Sequence, residues 1–468
     1  MAARPMRKIL VLMILALLAT KTVAVLLAGP VAIERDAFGY WKLSASVMQG
    51  DLLMLQEPIA YRTPVYPWFL ACIRSLSGSY SLQVLSIIQG LLSLGSLVIA
   101  ASIAARITKL PIAFGLTLAV SLPSISRFIF DAAVLSESMF IFLFMLNLLA
   151  ILDYAKYGNA SRASWVGLTF ATTLLTRPIV ILIWIPHLLF LLLIHLRKNG
   201  RLRTLAIKTI PYRSRIYHLI IASLVVLACC SPWMFRNQIL FGKPFLTEFV
   251  GRNIWVVTFK DGSGAGLPLP SSPDAEQLLQ RLYRVHATGD WRDTWYVSNA
   301  LVQSGLSDAA ADQLMRKVAI QAAQQDQSTF AYKAFRRIIN FWRCAATDLP
   351  KQGMHKAPAH SQKTWSHRIS VVDFALEYRF SQSVALNTLL LCGLTFCVVL
   401  LLTNYPTRVY GIWILSMLAY FSIVTGTLEI PDYRYRIVVE PLVCMSFGSA
   451  LAILFNNFNK TKATNQVG

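Results

Sequence analysis

The sequence predicts an all-α polytopic membrane protein of about ten transmembrane helices, with a large, mostly helical extracytoplasmic segment. Three observations lead there. Of 468 residues, 56% are hydrophobic and only 14% charged, where soluble domains carry roughly 25% charge. Apolar runs such as Ile9–Ala28 and Ile179–Leu196 approach the roughly 20 residues that cross a bilayer core. Basic and acidic residues also gather in alternate segments between the runs. This composition excludes a soluble enzyme, a secreted disulfide scaffold and a disordered chain.

Taken in order, the predicted spans are 9–28, 82–105, 110–126, 134–153, 163–177, 179–196, 217–234, 384–403, 409–428 and 437–455. The first follows Arg4, Arg7 and Lys8. Its apolar run is too long for an ordinary signal-peptide core, so an uncleaved anchor is expected, with Lys21 reaching toward an interface. The chain then divides into an N-terminal membrane module (1–235) containing the first outer loop (29–80), an extracytoplasmic helical segment (236–380), and C-terminal membrane helices with a short tail (381–468). The middle segment opens with the Gly-, Pro- and Ser-rich stretch Asp261–Pro273. Ser307-Asp308 is expected to start one helix and Ser328 another. The second has Phe330, Ala334, Ile338 and Phe341 as an apolar stripe beside Lys333, Arg336, Arg337 and Trp342, a pattern suited to lying on a membrane surface. The helix ending at 455 contains Glu440-Pro441, for which the sequence offers no account.

The net charge of +22 finds its explanation in sidedness. With the N-terminus inside, 17 of the 44 basic residues fall on the cytoplasmic side. They are Arg4, Arg7, Lys8, Arg106, Lys109, Lys156, Arg162, Arg197, Lys198, Arg201, Arg203, Lys208, Arg213, Arg215, Arg408, Lys460 and Lys462. Asp153 is the sole acid among them. This is the positive-inside pattern. It predicts a multi-pass plasma (inner) membrane protein with both termini cytoplasmic and its basic face against the lipid bilayer; no nucleic-acid partner is implied. The seven cysteines (72, 229, 230, 344, 392, 397 and 444) lie mostly in or beside apolar runs, and none has metal-ligand spacing. They read as small buried hydrophobes. The histidines at 187, 195, 218, 286, 355, 360 and 367 show no metal pattern either.

The acids collect on the outer face: Glu34, Asp36, Asp51 and Glu57 in the first outer loop, Asp131 and Glu137 at the second, Glu429 and Asp432 before the last helix. Glu34 and Asp36 could share a proton, bind a cation or divide the work of a general base and its orienting partner; otherwise they form a solvated acidic loop. Downstream, Arg62 sits on a loop stiffened by Pro64 and Pro67, where its planar fork suits bidentate binding of a phosphate. Glu137 would cost roughly 2–3 kcal/mol facing lipid at mid-bilayer, so it is expected at the interface or in a polar cavity. Arg177 either marks the outer end of its helix or helps hold a phosphate. Arg236, beside Pro232-Trp233, reads as an interface anchor.

These segments together resemble the GT-C glycosyltransferases, polytopic enzymes that use polyprenyl-phosphate sugars, and within them the protein mannosyltransferases and the lipid A aminoarabinose transferase (a bacterial glycosyltransferase family 39-like pattern). The resemblance rests on Glu34-Arg35-Asp36 followed by Tyr40, and on Arg62-Thr63-Pro64 continuing into Tyr66-Pro67-Trp68-Phe69-Leu70-Ala71. It extends through Leu135-Ser136-Glu137, Leu175-Thr176-Arg177-Pro178, Pro232-Trp233-Met234-Phe235-Arg236-Asn237 and Arg434-Tyr435-Arg436. It implies transfer of a monosaccharide from a polyprenyl monophosphate to an extracytoplasmic acceptor (a cell-envelope glycan, a lipopolysaccharide or a protein) by one inverting displacement. Asp36 would be the catalytic base and Glu34 its helper. Arg62, Arg434 and Arg436 would bind the donor phosphate. Tyr40, Tyr61, Glu137 and Arg177 would be further substrate-binding residues. No cofactor is expected; a divalent cation is conceivable, but users of monophosphate lipid donors generally manage without one. Two other classes remain open. A transporter or lipid flippase would show charges paired at mid-bilayer in two related halves. An O-antigen ligase or polymerase would have its main site in a later large loop.

Overall fold

The computed structural model describes residues 11–19, 22, 33, 36–122, 130–199, 212–260, 266–343 and 383–465. All regular structure among the described residues is helical. Among the described residues, five helices are long and apolar enough to cross a membrane, and three shorter apolar ones accompany them.

Residues 11–19 form α1. The segment predicted as the first outer loop supplies α2 (Asp36–Met48) and α3 (Val65–Ser77). Next comes α4 (Ser81–Thr108), whose 28 residues span about 42 Å at 1.5 Å per residue. After it, α5 (Ile112–Ser121) is shorter than the expected span of 110–126, and residues 123–129 lie outside the described residues. α6 (Glu137–Tyr157) ends at Gly158 in the left-handed region (φ 60°). Asn159 then caps α7 (Ala160–Leu174) by accepting from the backbone N of Arg162 (2.9 Å), a standard start for a helix.

Two helices expected to run almost continuously over 163–196 are separated by a loop. α7 stops at Leu174, Arg177 is extended (φ −148°, ψ 114°) and Pro178–Val180 makes a 3-10 turn before α8 (Trp184–Asn199). The cause is Pro178, whose ring disfavours helical backbone in the residue before it. α9 (Tyr212–Phe241) does the opposite and continues past Pro232, where the prediction ended it at 234. Proline leaves the carbonyl four residues back without its amide donor, and here the Ser231 hydroxyl donates to Ala228 O (3.1 Å).

The segment after α9 packs α10 (Val250–Phe259), α11 (Pro273–Arg284), α12 (Thr294–Gln303) and α13 (Asp308–Gln325) around its own core of Trp255, Phe259, Leu278, Leu301, Met315 and Val318. Ser307 caps α13 as expected. For α14 (Gln327–Arg343) the capping group is Asp326, which accepts from the backbone N of Thr329 (3.1 Å) and the hydroxyl of Ser328 (3.0 Å). α14 turns its apolar stripe inward: Phe341 is buried and Phe330, Ala334 and Ile338 are half-buried, with Lys333 and Arg337 buried beside them, while Tyr332 and Phe335 are exposed. Arg337 Nε donates to Gly426 O (2.7 Å) and Nη1 to Val257 O (3.3 Å). α14 thereby ties these helices to α16.

The C-terminal part holds α15 (Ser383–Thr403), α16 (Arg408–Leu428), the single turn α17 (Tyr433–Arg436) and α18 (Glu440–Asn465). Glu440 is the first residue of α18 and Pro441 the second. A missing N–H costs nothing there, and an acid suits the helix dipole, which accounts for the pair. The membrane bundle shares one core, including Phe144, Phe170, Phe190, Trp413 and Phe421. Polar groups inside it are mutually bonded. Trp413 Nε1 donates to His187 Nδ1 (3.2 Å), and His187 Nε2 meets Asn147 Oδ1 (2.9 Å).

Candidate active site around Asp36

Asp36 is the first residue of α2, where the helix dipole favours a carboxylate. Tyr40 lies one turn on, on the same face. Its hydroxyl meets Ser136 Oγ (3.3 Å) and its ring packs edge-on against Tyr66 (4.8 Å). Arg62 crosses this face, its guanidinium 3.9 Å from the centre of the Tyr40 ring and its Nη2 2.9 Å from Asp36 Oδ1. Gly39 makes room for it, since a β-carbon there would stand 3.2 Å from Arg62 Nη2.

The Arg62-Thr63-Pro64 segment is pinned to the loop after α7. Thr63 Oγ1 donates to Thr176 O (3.2 Å) and Val65 N to Leu175 O (3.2 Å). That contact brings Arg177 into the mouth, where its Nη1 pairs with Glu137 Oε1 at 2.7 Å. The pair lacks hydrogen-bond geometry. Glu137 begins α6 and its side chain is wholly buried. Arg434, on α17, links the two acids: Nη1 lies 2.7 Å from Asp36 Oδ2, and Nε donates to Glu137 Oε1. Four segments far apart in sequence thus contribute to one cluster of two carboxylates and three guanidiniums.

Burial alone would raise the Asp36 carboxyl; Arg62 and Arg434 outweigh it and hold the group well below the usual carboxylate range. Glu429, just after α16, is the opposite case. Burial pushes it up to about 7, against a hydrogen bond from Tyr435 and the nearby Arg177 and Arg434. Among the described residues, Arg62 Nε and Glu137 Oε2 are buried without a hydrogen-bond partner, which leaves donor and acceptor capacity in the mouth. No three His, Cys, Asp or Glu side chains come together there or elsewhere among the described residues so as to hold a metal.

The other predicted site residues are placed differently. Glu34 lies outside the described residues. Arg436 donates from Nη1 to Trp342 O (2.9 Å). Tyr61 lies 5.4 Å from both Phe249 and Trp295. Next to it, Ala60 N donates to Asp308 Oδ2 (2.7 Å), and Arg252, fully buried, pairs with Asp312 (3.2 Å) and Asp308. Arg236, read from sequence as an interface anchor, is instead buried and donates to four carbonyls of the first outer loop: Leu53 (3.2 Å), Met54 (3.1 Å), Glu57 (2.5 Å) and Ile59 (2.8 Å). Sequence reasoning missed Gly39 and Gln89. Gln89, a polar residue within apolar α4, accepts from Tyr66 and donates to Asp131 O and Ala133 O; such a residue in a membrane run is a readable signal. Comparison with known proteins finds no matching family model, curated protein or solved structure.

Proposed function

We propose that the chain is a membrane glycosyltransferase that moves a monosaccharide from a polyprenyl monophosphate donor to an extracytoplasmic glycan, lipid-linked or protein acceptor. The observation that carries this reading is the meeting of Asp36 with Arg62 and Arg434 in one partly open mouth, a carboxylate beside two cations. A sugar hydroxyl needs a base, and a phosphate leaving group needs fixed positive partners as its charge grows. In this reading the acceptor O–H gives its proton to Asp36, and its oxygen attacks the anomeric carbon. The bond from that carbon to the phosphate oxygen breaks, and polyprenyl phosphate leaves with the electron pair. Arg62 and Arg434 hold the phosphate, Arg177 and Glu137 keep Arg434 in place, and Glu34 assists the base. Arg436, bonded to Trp342 O, supports α14. The ten-span topology, both termini inside and the site on the outer face of the plasma membrane belong to the same proposal.

The test is covalent transfer: purified protein with a polyprenyl-phosphate sugar and acceptor, in detergent and without any gradient. Asp36→Asn keeps the side chain's size and removes most of its basicity, so transfer should fall by roughly 10²–10⁴-fold. Wild-type protein that forms no glycosidic product with any such donor, or Asp36→Asn transferring at the wild-type rate, would refute the reading.

A further inference from the structure

A general base must be basic enough to take its proton, and each oxygen of Asp36 already accepts from a guanidinium, which holds its charge in place. Oδ1 is taken by Arg62 Nη2 (2.9 Å) and Oδ2 by Arg434 Nη1 (2.7 Å). These are the guanidiniums that the proposed function assigns to the donor phosphate, and one N–H cannot serve both anions at full strength. We propose that the donor arms its own base: its phosphate draws Arg62 and Arg434 away from Asp36, and the carboxylate becomes available to the acceptor only then. The inference rests on the phosphate-binding reading above.

The surroundings suit such an exchange. Arg434 has a second attachment, Nε on Glu137, and Glu137 is also held by Arg177. Arg434 can therefore turn Nη1 toward a new anion while its other edge stays fixed. Arg62 rests on the Tyr40 ring, with Tyr61 5.4 Å away and its Nε unpartnered among the described residues. Among the described residues, Glu429 also lies within electrostatic reach of Asp36, and when ionised its charge opposes a second anion nearby. The chemistry reinforces the switch. As the bond to the anomeric carbon breaks, the phosphate gains charge and attracts both guanidiniums further, so Asp36 gains basicity as the acceptor gives up its proton. Donor must bind before acceptor can be deprotonated.

Competition between two anions for one pair of cations has a direct signature. Binding of polyprenyl monophosphate, without sugar, is measured on the full-length protein in nanodiscs. Removing the Asp36 charge should tighten it, by at least about fivefold if the coupling lies in the usual range for linked sites. Asp36→Asn is the first variant and Asp36→Ser the second, each accepted on an unchanged thermal midpoint. A measurement on unmodified protein stands beside them. Donor entry should return the Asp36 carboxyl from well below its usual range to that range or above, so binding takes up a proton. Affinity for a polyprenyl phosphodiester, whose own charge does not titrate there, should therefore rise as pH falls from 6 to 4. It should do so equally in Glu429→Gln, which removes the neighbouring carboxyl that titrates at about 7. Equal or weaker binding by the folded variants, or a flat pH profile, overturns the arming mechanism and leaves the phosphate site standing. Phosphate binding to neither wild type nor variants removes the phosphate site itself.

Discussion

Gly39 is an unusual residue to find in the first outer helix, because glycine costs about 1 kcal/mol relative to alanine in a helix interior. Its contribution here is space: the missing β-carbon would meet Arg62 Nη2 at 3.2 Å and Nε at 3.4 Å. Gly39→Ala should thus separate stability from function. The thermal midpoint should hold or rise, while kcat/KM for transfer falls by about tenfold, because a displaced clamp weakens transition-state contacts. A variant that is both as stable and as active as wild type would show that Arg62 needs no such clearance. Arg62 itself should tolerate Lys better than Ala, since a point charge survives and only the planar fork is lost.

At the scale of elements, α9 acts on a loop nearly two hundred positions before it. The buried Arg236 guanidinium closes on the carbonyls of Leu53, Met54, Glu57 and Ile59, each charged hydrogen bond contributing about 1.5–3 kcal/mol. Arg236→Met keeps the apolar stem and removes all of them. The loop over 50–60 should then be cut faster in limited proteolysis, with the membrane helices intact; unchanged cleavage would mean the loop holds its shape unaided. This role was not legible from sequence, where an Arg beside a Trp near a helix end looks the same whether it meets headgroups or carbonyls. The helical, membrane-like character was legible from apolar length alone; Asp36, Arg62, Glu137 and Arg177 were picked out by residue type and position between apolar runs, and Arg434 through the family resemblance. Their pairing was not, because local pattern says nothing about which distant loops share a mouth. Helix ends moved near proline: the predicted break at Pro178 is a wider loop than expected, and the helix predicted to end two residues after Pro232 continues to Phe241, with the Ser231 hydroxyl donating to Ala228 O.

For the molecule as a whole, the proposed sidedness is open to direct labelling. In a background without native cysteines, a cysteine near residue 205 should resist an impermeant thiol reagent in intact cells, and one near residue 265 should react. Labelling at 205 with the membrane sealed would invert the topology and move the Asp36 mouth to the wrong face for an extracytoplasmic acceptor.

The pairing of Asp36 with Arg434 also has a consequence for biosynthesis. The two residues are 398 positions apart, and a ribosome adding roughly 5–20 residues per second needs about 20–80 s to travel between them. Throughout that interval Asp36 has been made and its second cation has not. The mouth closes only when α17 arrives with the last membrane helix, so a ribosome that stalls before residue 434 releases a chain holding Asp36 and Arg62 but lacking the clamp. Completion of the chain is thus what assembles the Asp36–Arg434 pair, and on the proposed function prematurely ended copies should transfer no sugar.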